Sequence, residues 1–518
     1  MAGSVRREGP RVPETDPKVG VDVSTQWAGD PRHRLVTIGD SLTQGFQSAA
    51  IFNTSLSYPA IVAHEMGCLP NFRYPLYGGF GGLPFNLELF LRDLEDRYGR
   101  TVDWWEAPLA LFRARSVMDR VEDYWERGAG RSAPSTTAIM HNLAVFGWDL
   151  RDALSKSADE CRKRIDVPKD DLVNQLVQNA GERAALRVLP TRPRTAGALT
   201  QLGAAAELGK DIEGTGAKHG IETLVVFLGA NNALRAVTDL RVVWSEDSGF
   251  DSLDDKRRFT VWRPKHFTSE LRKVAAEVAA IKARHVIWCT VPHVTIAPIA
   301  RGVAGKVQPG SRYFPYYTRP WIKDRDFDAR KDPNITAEQA RQVDEAIDAY
   351  NDAITETVRA ARTKGKDWYL LETSGLMDRL AWRRFAEDPL ARPDWWQPYQ
   401  LPSALRALSP PPNSHFLAAQ DGRRTDGGLF SLDGVHPTTV GYGILAQELI
   451  NVMRLAGVSF FRPDGSTPRQ DPVLVDFDRL IRHDTLINRP PGNLGSSLSA
   501  LGWADEALDL LKRVFSAL

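Results

Sequence analysis

A serine directly after a buried apolar run, and a histidine three residues after an aspartate, are the features of this chain equipped for covalent chemistry. The serine lies in Gly39-Asp40-Ser41-Leu42-Thr43-Gln44-Gly45. A hydroxyl at the carboxyl end of a strand faces the crevice where open α/β sheets bind ligands. It is a weak nucleophile until a base takes its proton. The base expected here is in Asp433-Gly434-Val435-His436-Pro437, near the other end of the chain. The D-x-x-H spacing lets one turn set a carboxylate beside an imidazole. The carboxylate can then hold Nδ1–H and leave Nε2 to accept the serine proton.

Two further segments bring donors to the same sheet edge. Asn142-Leu143-Ala144-Val145-Phe146-Gly147 ends in a glycine whose backbone N–H can approach an oxyanion closely. Gly229-Ala230-Asn231 offers a side-chain amide donor. Asp40, Trp148, Asn232 and His293 are neighbouring pocket candidates, His293 because it lies just past a predicted strand. The aromatic segment Tyr313-Phe314-Pro315-Tyr316-Tyr317 can cover an acyl or sugar group, with ordinary packing at least as good a reading. Gly78-Gly79-Phe80-Gly81-Gly82 matches neither phosphate-loop pattern and reads as a turn.

These residues need a frame. Short apolar runs at 35–38, 143–146, 224–228, 286–291 and 368–371 suit strands buried on both faces of a parallel sheet. Helical patterns lie between them at 58–66, 267–283 and 336–361, the last opened by Thr336 as a cap. Alternating strands and helices predict a doubly wound α/β core with a central parallel sheet of about five strands. The expected organisation is a flexible arm over 1–30, a catalytic domain over 31–465 and a C-terminal extension over 466–518. Insertions are expected near 155–218, 300–333 and 381–428, the last two as lids, binding loops or plain cover. The extension ends in an amphipathic pattern, with Ala504, Leu508, Leu511, Phe515 and Leu518 on one face.

Composition narrows the partners. Of 518 residues, 42% are hydrophobic and 25% charged, which excludes wholesale disorder. Lys and Arg total 66 against 65 Asp and Glu, so no global positive field attracts nucleic acid. Three cysteines without a C-x-x-C pair argue against a disulfide framework or a cysteine zinc site. No signal peptide or membrane-spanning stretch is visible, so a cytoplasmic location is expected. The oligomeric state is not legible.

Taken together and in this order, the four blocks resemble the SGNH hydrolase superfamily, which includes the GDSL esterases and lipases. The blocks are Gly39 to Gly45, Asn142 to Gly147, Gly229 to Asn231 and Asp433 to His436. The resemblance implies a flavodoxin-like three-layer α/β/α fold with no metal or organic cofactor. It implies Ser41 as nucleophile, His436 as base and acid, and Asp433 as its orienting group. It implies an oxyanion hole from the N–H groups of Ser41 and Gly147 with the Asn231 side chain. One departure is Asn232, where the family usually has aspartate. The expected activity is hydrolysis of a small-molecule, lipid or carbohydrate ester. An acyltransferase with the same residues, or a silent binding or scaffold protein, are the alternatives.

Overall fold

The computed structural model describes residues 9–16, 30–101, 106–134, 138–167, 177–191, 194–210 and 220–495. Four of the apolar runs form one parallel sheet. Its strands are β1 (His33–Gly39), β2 (Ile221–Phe227), β3 (Ala283–Cys289) and β4 (Trp368–Leu371), in the spatial order β1-β2-β3-β4. Thr37 pairs with Val225, and Val225 with Ile287, so the strand ends lie level along one edge.

The fifth run departs from expectation. Residues 143–146 form no regular strand, and the sheet has four strands rather than five. The segment lies beside β1, bridged at Thr37 and Asn142. Its backbone bonds are Thr37 N to His141 O, Leu143 N to Thr37 O, and Val145 N to Gly39 O. The Leu143 carbonyl accepts from the Gln201 side chain. The Asn142 carboxamide accepts from Thr37 Oγ1 and Ala144 N–H and donates to the Thr43 carbonyl, so side chains hold the segment beside β1.

Side chains alternate across the sheet. Leu35, Val225, Phe227, Ile287 and Leu371 pack into one core, and Val36, Ile38, Leu224, Val226 and Trp288 into another. The first core is covered by α2 (Tyr58–Glu65) and α6 (Thr439–Leu455). The second is covered by α3 (Gln201–Lys210), α4 (Pro264–Ala280) and α5 (Ala337–Arg362). Each Leu, Val or Phe fully buried this way contributes about 1.5–3 kcal/mol.

Helix boundaries follow local chemistry. α5 begins at a capping box in which Thr336 Oγ1 accepts the Gln339 N–H and Gln339 returns a bond to the Thr336 N–H. α4 begins at Pro264 and ends at Ala280, three residues earlier at each end than the pattern 267–283 suggests. Proline suits a first helical turn, and β3 claims Ala283.

The 155–218 segment contributes helices Ala158–Arg164 and Ala180–Val188 as well as α3. The 300–333 segment builds a small antiparallel sheet from Arg301–Gly302, Tyr316–Thr318 and Ile335–Thr336. The 381–428 segment carries a hairpin over Ala418–Gln420 and Arg423–Asp426. The N-terminal arm needs correction. In residues 9–16 Arg11 is buried and binds Asp352 and Glu372 at 2.9 Å, and Asp16 binds Arg362 at 2.6 Å. These ion pairs dock a stretch whose sequence offers little apolar surface. The amphipathic pattern over 499–518 lies outside the described residues. Among the described residues no helix is long and apolar enough to cross a membrane.

Candidate active site

Gly39 ends β1 where the chain turns sharply. A Cβ there would lie 2.2 Å from Thr43 Oγ1 and 2.9 Å from the Phe227 carbonyl, so only glycine fits. The turn enters α1 (Ser41–Gln44), capped by Asp40, whose Oδ1 accepts the Leu42 N–H at 3.1 Å. Ser41 is the first residue of this turn of helix, at the sheet edge.

His436 reaches it from the far end of the chain, with Nε2 2.8 Å from Ser41 Oγ and Nδ1 3.0 Å from Asp433 Oδ2. All three are buried. Phe46 packs on the imidazole with ring centres 4.6 Å apart. The Asp433 carboxylate is held from several sides. Oδ1 accepts the N–H groups of Val435 and His436, both at 2.8 Å, and Oδ2 accepts the Ala49 N–H at 2.9 Å. Burial alone would raise its pKa. The His436 charge and hydrogen bonds, with the Ala49 N–H, outweigh that and hold it below the usual carboxylate range.

Ser48 and Ala49 supply a part that sequence reasoning missed. Both adopt left-handed backbone, with φ of 48° and 62°. Such a conformation costs non-glycine residues on the order of 1–3 kcal/mol. It aims the Ser48 N–H at Ser431 Oγ and the Ala49 N–H at Asp433. Ser-Ala carries no sequence signal for that turn. Gln44 and Gln201 were also missed. Gln44 Oε1 accepts the Phe146 N–H at 2.7 Å, and Gln201 Nε2 donates to the Gly39 and Leu143 carbonyls. Together they tie the 143–147 segment to the strand that carries Ser41.

Gly147 takes the left-handed conformation, φ 73°, as the chain turns toward the Asp149-capped helix Leu150–Ser155. Asn231 is half-buried, and its Nδ2 donates to the Trp148 carbonyl at 2.8 Å. That bond uses one amide hydrogen, fixes the carboxamide and leaves the other hydrogen available.

Two clefts flank these groups. Ser41 and His436 line an apolar cleft of about 130 Å³, walled by side chains such as Leu234, Val294, Leu376, Met377 and Leu380. Gly147, Trp148 and Asn231 line a polar cleft of about 340 Å³. In the polar cleft Lys256 Nζ sits 2.5 Å from Asp149 and 2.6 Å from Asp152, and Lys156 bridges Asp152 at 3.1 Å and Glu182 at 2.9 Å. Burial and the neighbouring Asp152 raise the Asp149 pKa. Lys156 and Lys256 overcome burial to lower that of Asp152.

The remaining pocket candidates fall differently. Trp148 is buried, lines the polar cleft and carries Lys156 Nζ 5.7 Å above its ring. His293 faces the apolar cleft, but its ring nitrogens are held by Asp348 at 3.1 Å and Asp378 at 3.2 Å. Burial opposes its charge, yet Asp378, Asp344 and Asp348 raise its pKa to about 10, so it is an imidazolium and no free base. Asp40 is buried as a helix cap. Burial lifts its pKa to about 7, against the Leu42 N–H and the nearby His436. Asn232 is buried, lines neither cleft, and its carboxamide finds no partner among the described residues.

No protein-family model matches the chain, and no curated protein matches it.

Proposed function

We propose that the chain is a serine ester hydrolase of the SGNH type, built on a flavodoxin-like three-layer fold. One observation carries the reading: a serine, an imidazole and a carboxylate from opposite ends of the chain meet at 2.8 and 3.0 Å beside an apolar cleft. Sequence resemblance adds the four ordered blocks that contribute these residues.

In this mechanism His436 Nε2 takes the Ser41 proton as Oγ attacks the ester carbonyl. Asp433 keeps Nδ1 protonated and stabilises the imidazolium that forms. The carbonyl oxygen becomes an oxyanion facing the N–H groups of Ser41 and Gly147 and the free Asn231 amide hydrogen. His436 then gives its proton to the departing alcohol, leaving an acyl group on Ser41. Water, activated by the same imidazole, attacks that acyl group and releases the acid. The apolar cleft suits the acyl chain.

The polar cleft favours a polar alcohol half, and with it a second reading, acyl transfer to a polyol. Product analysis with added sugars separates the two: a new sugar ester marks transfer, and free acid alone marks hydrolysis. The test of the main reading is hydrolysis of p-nitrophenyl esters from acetate to palmitate, with Ser41→Ala beside wild type. Ser41→Ala is expected to lower kcat by at least about a thousandfold. Undiminished turnover in the folded variant overturns the reading.

A further inference from the structure

The outer wall of the apolar cleft is also the wall of another hollow, of opposite character. Along residues 293–300 the lining divides: His293, Val294 and Ala297 face the cleft, and Thr295, Ile296 and Pro298 face the hollow. The hollow has a cavity volume of about 310 Å³. Its charged side chains are Arg301, Arg312, Arg383 and Arg384, against the single carboxylate of Glu387.

Two of those arginines are already neutralised. Arg301 pairs with Asp324 at 2.5 Å and Arg384 with Asp344 at 2.9 Å. Glu387 is engaged elsewhere, accepting the Trp382 indole N–H at 2.8 Å and lying 3.6 Å from His415. Arg312 and Arg383 have no carboxylate within ion-pair distance among the described residues. Arg383 donates to the Gly302 carbonyl at 2.9 Å. Arg312 Nη1 is shut off from solvent and meets no acceptor. The hydroxyls lining the hollow bond other groups. Thr295 Oγ1 donates to Asp344 and accepts from Arg384, and Ser414 Oγ donates to Leu380 O and accepts from Trp382 N–H.

Both unpaired guanidiniums lie on aromatic faces, Arg383 4.6 Å from the Phe314 ring centre and Arg312 5.2 Å from that of Tyr313. Stacking holds the planar fork while leaving its N–H edge to bind, the geometry in which arginine recognises oxyanions. Desolvation, and then the neighbouring Arg301, lower the Arg383 pKa. An oxyanion held in the hollow supplies the countercharge that no ion-pair partner gives these two guanidiniums.

We propose that this hollow binds an oxyanion group, a phosphate or sulfate on a small molecule or a lipid headgroup, through Arg312 and Arg383. The site is separate from Ser41, so it stands or falls independently of the esterase reading.

The test is calorimetric titration of the full chain with inorganic phosphate at constant ionic strength, repeated with phenyl phosphate. Sedimentation with phosphatidylglycerol vesicles runs beside it. Saturable binding, weakened at least tenfold in the Arg312→Gln/Arg383→Gln double variant, is the expected result. Binding of the free phosphates marks a soluble ligand. Sedimentation with vesicles alone, lost in the double variant, marks a headgroup. Absence of both, or equal binding by the double variant, overturns the proposal. Thermal melting of the double variant at low salt without phosphate closes the argument. Its Tm is expected at or above that of wild type, because two cations without an ion-pair partner are gone. A fall of many degrees would make the arginines structural and also overturn the proposal.

Discussion

The apolar cleft and the arginine-lined hollow back onto each other across residues 293–300, yet they treat charge in opposite ways. In the cleft, each imidazole has its carboxylate: Asp433 for His436, Asp348 and Asp378 for His293. Apart from the hydroxyls of Ser41 and Thr373, the rest of the wall is apolar. In the hollow, arginines outnumber the carboxylates that reach them. A surface that completes its own ion pairs presents a neutral face and selects by shape and apolar contact. A surface that leaves donors unmatched selects by charge. One fold offers both because the two faces of a single segment, built around the 3-10 turn Val294–Ile296, point opposite ways.

The strongest challenge to the cleft's half of this contrast is loss of an internal pair. Asp433→Asn removes the carboxylate that sets the His436 tautomer, and kcat for a short ester is expected to fall by about 10⁴. An effect under tenfold would mean the pairing is not used in turnover. Next is Asn231→Ala, expected to lower kcat by about 10²–10³ with little change in KM, since in the proposed mechanism its second N–H meets charge that exists only in the transition state. Equal changes in kcat for Asn231→Ala and for a distant surface variant would remove Asn231 from the site.

Making the cleft resemble the hollow is a smaller perturbation. Leu376→Asp places an unpaired carboxylate in the aliphatic wall. It is expected to lower kcat/KM for a long-chain ester by about tenfold or more, and for acetate by less. Parallel losses on both substrates would show that the acyl chain does not use this wall.

The gentlest test is pH. Against burial, the neighbouring carboxylates hold the folded pKa of His293 at about 10, above its ordinary value of about 6.5. Its contribution to stability is therefore complete below about 6.5 and is lost as pH rises through about 10. Melting temperature should decline over that window, and His293→Asn should flatten the decline. An unchanged slope would show that the buried ion pairs are not the source.

Much of this was legible in the residues. The strand runs were visible because strands buried on both faces are nearly continuous in apolar residues. Trp368–Leu371 appears as a strand at the expected bounds. The segment 143–146 has the apolar pattern of a strand, but the side-chain bonds of Asn142 and Gln201 that hold it cannot be read from hydrophobicity. The start of α4 is signalled by Pro264, ahead of the periodic stretch. Ser41, His436 and Asp433 could be singled out because strand ends and the D-x-x-H spacing are local patterns. The partners of His293 lie 55 and 85 positions away, on α5 and on the helix Thr373–Leu380, and no local pattern links them. The arginine hollow was invisible for the same reason, its side chains coming from three separated stretches. Asn232 stays buried with an unpartnered carboxamide, and nothing in the structure explains it.

Ser41 and His436 are separated by 395 positions. During synthesis that separation is also an interval of time. At about 5–20 residues per second, roughly 20–80 s pass between adding the serine and adding its base. Throughout that interval the growing chain carries Ser41 without the imidazole that lies beside it, while most of the apolar wall is added piece by piece. On the proposed reading, the last of the four motifs to be made is the one that arms the first.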